Sequence, residues 1–458
     1  MNKYTNRSVF PEHTNRYKGN LHSHSTNSDG CLTPTEMVSL YKKNGYSFLC
    51  LSEHDYYTDL RSEFDTDGFI LLPGLEASVK LCDAEGHQVK THHIHGILGN
   101  RQMQEQAGSR LFTSGERLTV PVYTTDSWPG VKAAQDRIDL LRSKGCFTTY
   151  NHPLWSRVDP EEVCSLQGLW AMEIYNHGSE LGFGEGHTTF FWERMLKQGN
   201  FVSAFASDDN HNPPEYFDSF GGYVCVCSES LDHESIVNHL LAGDYYSSQG
   251  PEICQWGIRE DHVFVECSPC SRICFVTDGP TYNSRMHLML ATPLTHAEHP
   301  LNGTESYVRI ECTDEKGRIA WTNAIRLENR LLENDPDNKI PILHQELVLS
   351  VQALHIVYDT PDPQSMSGTI RHRDSIGKYR RRLHRIFHHE QQMPCLLRQR
   401  QFNPPSALRQ LLYCMHSIFQ YIGQDRAEHH FRAGKLFSDR DQCIPGNLLL
   451  LKSGIICR

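Results

Sequence analysis

Three potential metal ligands fall within eight residues in the segment Gly19-Asn20-Leu21-His22-Ser23-His24-Ser25-Thr26-Asn27-Ser28-Asp29-Gly30. In an extended strand, residues two apart share a face, so His22 and His24 can present two imidazoles side by side. Asp29 lies in a Ser-Asp-Gly turn, where the chain can fold back and bring a carboxylate toward the pair. Imidazole suits zinc, manganese and iron, and bridging carboxylates hold two cations close despite their repulsion. The chemistry that such a set supports is metal-assisted hydrolysis.

A lone His-x-His occurs by chance on surfaces and in cores, so the weight falls on partners elsewhere in the chain. Among 27 His residues, several stand at the ends of short apolar runs beside Asp, Glu or Gly. These clusters are Ser52-Glu53-His54-Asp55, Pro73-Gly74-Leu75-Glu76, His92-His93-Ile94-His95-Gly96, Tyr150-Asn151-His152-Pro153 and Ser207-Asp208-Asp209-Asn210-His211. Their order and chemistry resemble the polymerase and histidinol phosphatase (PHP) superfamily of metal-dependent phosphoesterases, over roughly residues 17–225. The resemblance implies that His22, His24, Asp29, His54, Glu76, His93, His152, Asp209 and His211 are metal ligands. Glu76, placed after a strand and a Pro-Gly turn, is the expected bridge. Asp209 and His211 keep the family's Asp-x-His spacing, which favours Asp209 over Asp208.

His93 and His95 share one strand face while His92 takes the other. The residues alone admit either His92 or His93; the family pattern of His, two further residues and Gly selects His93. His87 and His95 are expected to be exposed or structural, and His177 and His187 to lie at the surface. Glu173 is expected to be a supporting or core-edge carboxylate outside the ligand set. Two departures stand out. The second cluster reads Ser52-Glu53-His54-Asp55 where the family has Thr-Asp-His-Asp, and the Gly that usually follows is replaced by Tyr56-Tyr57-Thr58-Asp59-Leu60. Both leave the shape of that loop, and hence substrate choice, open.

The resemblance also implies two or three divalent ions (Mn, Zn or Fe) that would lower the pKa of a bridging water for attack on phosphorus. Asp55 is a candidate to shuttle a proton or orient His54. Arg157 is a candidate to hold the phosphate, with a plain surface arginine as the equal alternative. The expected substrate is a phosphate ester of a small metabolite or nucleotide. The alternatives are exonuclease action on short oligonucleotides and a non-catalytic metal-stabilised binding module. Hydrolysis of a C–N or C–O bond in the manner of amidohydrolases would lean on a carboxylated lysine or another His/Asp order, and no matching lysine stands out.

The elements that must position these groups are legible as alternating short strands and helices. Thr33 as N-cap, Pro34 at N1 and Glu36 at N3 predict a helix running to Asn44-Gly45. Strands are expected at Ser47–Leu51, Phe69–Leu72, Cys146–Tyr150, Leu169–Ile174 and Val202–Ala206, with helices at Val131–Lys144 and His187–Gln198. Strand, ligand-bearing loop, helix and strand in repetition predict an α/β fold with function at the carboxyl ends of strands. The resemblance narrows this to a distorted (β/α)7-type barrel over residues 15–222. A β-rich accessory module is expected over 223–330, with strands at Asp244–Ser248, His262–Glu266 and Arg272–Val276. Tyr307–Thr313 and Arg318–Asn323 should form a hairpin about Asp314-Glu315-Lys316-Gly317. Residues 331–458 read as a basic tail, solvated or disordered.

Composition bounds the rest. A chain of 458 residues suits two or three domains. The net charge of −11 hides an asymmetry: residues 361–458 hold 16 Lys and Arg against 7 Asp and Glu, while the remainder holds 28 against 48. An acidic body argues against charge-driven binding of long nucleic acid. Neither a membrane span nor a secretory h-region is present in the sequence, so a cytoplasmic protein without an obligate protein partner is expected. The 16 cysteines are scattered through apolar runs, where reduced Cys behaves as a small hydrophobe. Cys267-Ser268-Pro269-Cys270 has C-x-x-C spacing but no second pair or histidine pair near it, which argues against a zinc or redox motif.

Overall fold

The computed structural model describes residues 4–279, 285–327, 448–451 and 454–457. The chain divides into two units, Met1–Leu343 and His344–Arg458. In the second unit, Leu448–Leu451 pairs antiparallel with Gly454–Cys457. The basic runs that were read as a tail lie outside the described residues.

The first unit is a mixed α/β body dominated by a 15-stranded sheet. Seven of its strands follow one another in chain order: Asn15–Asn20, Phe48–Leu51, Ile70–Cys82, Gln88–Leu98, Cys146–Tyr150, Ala171–Asn176 and Ser203–Ser207. The first three are parallel, Gln88–Leu98 runs antiparallel to both its neighbours, and the last three are again parallel. Just beyond the two outermost strands the chain ends of this row meet. Asp209 N donates to His22 O at 2.9 Å and His24 N to Asn210 O at 3.1 Å, a parallel bridge between Ser23 and Asn210.

Local sequence explains the elements. Helix Pro34–Lys43 carries the expected capping box: Thr33 accepts from Glu36 N, and Glu36 accepts from Thr33 N at 2.8 Å. It buries Met37, Val38 and Tyr41 at helical spacing against Leu49, Leu51 and Phe69. Strand Phe48–Leu51 is buried at every position, as its unbroken apolar run requires when both faces of a parallel strand are covered. Helix Val131–Ser143 and strand Cys146–Tyr150 fall where periodicity put them, with Gly145 at φ 82° making the turn between.

One expectation fails. Ile70–Cys82 is a single 13-residue strand, and Pro73-Gly74 is no turn. Its front half pairs with Phe48–Leu51 and its rear half with Gln88–Leu98. At Gly74 a Cβ would stand 3.0 Å from both Cys50 Sγ and Gly96 O, so glycine lets three strands converge there. Two short helices among the later elements were also missed, His177–Phe183 and His233–Ala242.

The sheet continues across residues 222 and 223. Tyr223–Ser228 pairs with Asn15–Asn20 on one side and Tyr245–Ser248 on the other, followed by Ile319–Thr322, Tyr307–Thr313 and Arg272–Thr277. The expected hairpin about Asp314–Gly317 is present, with Asp314 N donating to Arg318 O at 2.9 Å. A second, 4-stranded sheet joins Arg7–Ser8, Ile253–Arg259, His262–Cys270 and Leu294–Pro300. Among the described residues, no helix is long and apolar enough to cross a membrane.

A buried ionic link ties helix Thr189–Lys197 to strand Tyr307–Thr313. Glu193 accepts from Tyr307 Oη at 2.6 Å and from Arg309 at 3.0 and 3.2 Å, and Glu311 takes another Arg309 nitrogen at 2.7 Å. Removing one partner leaves a buried guanidinium short of acceptors. Glu193→Ala is expected to lower the unfolding free energy by about 2–4 kcal/mol. Glu193→Gln, which keeps an acceptor oxygen, should lower it by less than half as much. Denaturant unfolding of both variants checks the difference.

Candidate functional site

All nine residues of the expected ligand set gather in one cluster: His22, His24, His54, His152, Asp209 and His211 from just beyond the carboxyl ends of strands, Asp29 from the turn after His24, and Glu76 and His93 from within two long strands. His22 and His24 leave the end of Asn15–Asn20 in extended alternation, with their ring centroids 5.2 Å apart. The chain then closes a tight turn in which Ser28 N and Gly30 N both donate to Ser25 O at 3.1 and 2.9 Å. A Cβ on Gly30 would meet His24 O at 2.5 Å, so only glycine lets Asp29 double back toward the imidazoles. His54 follows Phe48–Leu51 and bridges in parallel to Glu76 in the neighbouring strand. His93 and His95 lie opposite Ser78 and Glu76 on Gln88–Leu98.

Glu76 is fully buried at the centre. Its Oε1 stands 3.3 Å from His22 Nε2 and 3.2 Å from His152 Nε2. Its Oε2 stands 3.1 Å from His54 Nδ1, 3.3 Å from His93 Nδ1 and 3.6 Å from His24 Nε2. Asp209 Oδ1 lies 2.9 Å from His22 Nε2 and 3.0 Å from His24 Nε2. Asp29 faces His211 Nε2 at 3.4 Å and His54 Nε2 at 3.5 Å. Side-chain exposure rises from 0% at Glu76 to 26% at His54, 31% at His211 and 56% at Asp29, which marks the open side.

The crowding sorts the protonation states. Burial opposes charge on His22, but the Asp209, Glu76 and Glu173 carboxylates outweigh it and hold its pKa well above the usual value. Burial and the neighbouring His54 and His211 rings push His24 down to about 3. Burial would also lower His54, yet Asp29 and Glu76 against its two nitrogens hold it up to about 10. Asp29 and Asp209 likewise hold His211 up to about 9 against burial. Glu76, despite the penalty of burial, stays well below the ordinary carboxylate range because His93, His22 and His152 surround it.

Supporting groups fix the arrangement. Glu173 Oε1 is 2.8 Å from His22 Nδ1, and Oε2 accepts from His152 N at 2.7 Å and Asn176 Nδ2 at 2.9 Å. Asn176 also donates to Asp209 Oδ2 at 2.9 Å, and Asn151 to Glu76 Oε1 at 2.7 Å. Sequence reasoning placed Glu173 outside the ligand set but missed how central it is. An acid in the otherwise apolar run Leu169–Ile174 was the available signal, since a buried carboxylate needs partners. Asp208 turns away, accepting from Tyr41 Oη and from the amides of Phe220, Gly221 and Gly222.

Other candidates fall elsewhere. Arg157 donates to Glu185 at 2.6 Å and is half exposed, so its guanidinium is engaged at the surface. Asp55 Oδ1 accepts from Ser78 N at 2.9 Å, anchoring the loop to the strand rather than touching an imidazole. His92 takes the opposite strand face, against Tyr150 Oη at 2.5 Å and stacked on Trp128. His87 and His187 are exposed, while His177 is half-buried with Tyr175 Oη 2.8 Å from its Nδ1. His95 is wholly buried, its ring 4.1 Å from that of His22. Trp155, which the sequence did not single out, sits beside the cluster, 5.0 Å from His152 and 5.6 Å from His93 between ring centroids.

No protein-family model matches the chain, and no curated protein matches it. Solved structures do. One is a two-domain protein from Bacteroides vulgatus containing a predicted PHP-like metal-dependent phosphoesterase, 14% identical, covering 71% of this chain and 99% of its own at a TM-score of 0.35. A candidate metal-dependent phosphoesterase from Bifidobacterium adolescentis is 14% identical over 49% of this chain and 96% of its own, with a TM-score of 0.29. An amidohydrolase from Chromobacterium violaceum, with bound sulfate and no metal, is 18% identical over 44% and 89%, with a TM-score of 0.27.

Glu53, beside His54, is buried and accepts from Ser25 N at 3.1 Å, from Ser25 Oγ and from Ser28 Oγ at 2.5 Å. It therefore pins the turn that carries Asp29. Glu53→Ala is expected to destabilise the protein by about 1–3 kcal/mol. The same change should speed amide exchange over residues 25–30 while leaving strand Gln88–Leu98 protected. Hydrogen exchange read by mass spectrometry separates the local from the global effect.

Proposed function

We propose that the cluster binds divalent metal ions and that the protein is a metal-dependent phosphoesterase acting on a small phosphorylated metabolite or nucleotide. One observation carries the reading: nine imidazole and carboxylate side chains from distant segments gather in one cluster, buried at Glu76 and open at Asp29. His54 Nδ1, His93 Nδ1, Glu76 Oε2 and Asp209 Oδ1 are buried and face neighbours in the cluster at 2.9 to 3.3 Å, yet none of the four makes a contact with hydrogen-bond geometry. Buried polar atoms are rarely orphaned, and groups that share a cation are the straightforward exception. The meeting of chain ends at Ser23 and Asn210 supports the distorted seven-strand barrel with this site at its mouth.

The donor set suits manganese, zinc or iron. His22, His24, Glu76 and Asp209 form one group, His54, Glu76 and His93 a second, and His24, Asp29, His54 and His211 a third. Glu76 belongs to two of them, with Oε1 toward His22 and His152 and Oε2 toward His54, His93 and His24, so it would be a ligand common to both. Bound cations would supply Lewis acidity toward water and the phosphoryl oxygens. The chain's own residues do the remainder. Glu173 holds the His22 tautomer so that Nε2 faces Glu76 and Asp209. The exposed side at Asp29, His54 and His211 admits a phosphate, and the half-buried Trp155 indole offers a flat apolar face to the leaving group.

The first test is metal content of the purified protein and of a His22→Ala/Glu76→Ala variant, with hydrolysis of p-nitrophenyl phosphate and bis-p-nitrophenyl phosphate in added Mn2+. Bound metal together with turnover that the variant loses supports the reading, and the preferred ester separates monoesterase from diesterase. Comparing a nucleoside monophosphate with a labelled short oligomer then separates a small-molecule enzyme from an exonuclease. Metal without turnover on any of these esters would favour the non-catalytic module. No metal after reconstitution overturns the ligand set. Glu173→Ala is expected to weaken metal binding by about 10–100-fold.

Metal uptake should also be proton-linked. His54 and His211, held protonated to about 10 and 9, are charged at neutral pH and must lose protons to become ligands. Binding at neutral pH is therefore expected to release protons and to weaken as pH falls. Calorimetry in buffers of different ionisation enthalpy reads that release directly; buffer-independent heats would contradict it.

A further inference from the structure

We propose that Cys267, Cys270 and Cys312 form a second metal site, a trithiolate centre for a thiophilic d10 cation such as zinc(II) or copper(I). It is separate from the histidine and carboxylate cluster. All three residues are buried and reduced. Their sulfurs all lie within 4.8 Å of one another. Zn–S bonds of about 2.3 Å place tetrahedral sulfurs about 3.8 Å apart, so a contraction of at most about 1 Å closes the trio on an ion.

Three buried cysteines could be mere packing, since reduced Cys serves often as a small hydrophobe. The backbone argues otherwise. Residues three apart in a regular strand point to opposite faces, so Cys267 and Cys270 should diverge. They do not, because the ladder of strand His262–Cys270 with Leu294–Pro300 shifts register between Glu266 and Cys270. Such an irregularity re-aims side chains. Here Glu266 and Pro269 are exposed while Cys267 and Cys270 turn inward together. Their common target is Cys312 on Tyr307–Thr313, a strand of the other sheet. The ion would therefore staple the two sheets through the apolar cluster they share. The sequence hid this because the third sulfur lies on a strand far along the chain from the C-x-x-C pair.

Binding requires the thiols to release their protons to solvent, with no change of oxidation state. The test uses the reduced full-length protein, kept anaerobic, with cobalt(II) as the probe. An intense thiolate-to-cobalt charge-transfer band in the near ultraviolet is expected, bleached by one equivalent of zinc. Imidazole and carboxylate ligands give no such band, so the readout is independent of the phosphoesterase reading. Cys270→Ala and Cys312→Ala should each abolish the band while metal at the histidine cluster remains, and Cys254→Ser should leave it intact. A copper(I) titration against a chromophoric chelator reads preference within the class. No charge-transfer band with cobalt and no retention of copper(I) by the wild-type protein would overturn the proposal. So would a band that survives Cys312→Ala, or a mass showing Cys267 and Cys270 joined as a disulfide. The wild-type spectrum decides the matter even if a variant fails to fold.

Discussion

A fully buried carboxylate facing five imidazoles sets the terms for the structure around it. Glu76 approaches His22, His24, His54, His93 and His152 at 3.1 to 3.6 Å. An ionised carboxylate in a dry interior is costly unless positive charge or hydrogen bonds compensate it. The compensation here comes from groups on other strands, so the charge is tolerable only when those strands are assembled. That is why Ile70–Cys82 runs straight through Pro73-Gly74. Proline needs no donor where the strand changes partners, and glycine lets Cys50 and Gly96 close in, so Glu76 is carried to the centre on rigid backbone.

The other buried acids divide the labour. Asp208 and Asp209 are adjacent in sequence yet serve opposite ends: Asp209 faces the imidazoles, while Asp208 gathers three amides and the Tyr41 hydroxyl. Burial lifts Asp208 to about 6 even against those donors. Burial also raises Glu53, which holds the Asp29 turn through serines and not through any imidazole. A Glu suits this position, because its side chain spans from one strand end to the neighbouring turn.

Much of this was legible in the chain because ligand chemistry and strand ends coincide. The helix of Pro34–Lys43 and the strand Cys146–Tyr150 follow from capping and periodicity that are local, whereas the choice of Asp209 over Asp208 came from the family resemblance alone. What was not legible depends on partners. Pro73-Gly74 looks like a turn because its dipeptide chemistry outweighs the strand context that only pairing with two neighbours supplies. Arg157 looked like a phosphate clamp from its nearness to His152, but a positive φ of 60° turns the chain and Glu185 takes its charge. His95 shares the face of His93, yet its ring packs on His22, a contact between strands that spacing cannot reveal. Where the sequence pattern changes near residue 222, strand Tyr223–Ser228 pairs with Asn15–Asn20 and Tyr245–Ser248.

Backbone strain and the polar network support each other. His152, Asp209 and Asp55 all hold positive φ, at 24°, 49° and 51°. Such conformations cost of order 1–3 kcal/mol each and persist where surroundings over-determine them. Each strained residue has its amide captured: His152 N by Glu173 Oε2 at 2.7 Å, Asp209 N by His22 O at 2.9 Å, Asp55 N by Glu76 O at 2.8 Å. The acceptors are the cluster's own residues, or in the case of Glu173 the residue that orients His22. One side chain, that of Glu173, and the main-chain carbonyls of His22 and Glu76 thus hold the strained backbone. Loss of Glu173 therefore reaches further than one hydrogen bond, since it frees the His22 ring and relaxes the His152 turn together.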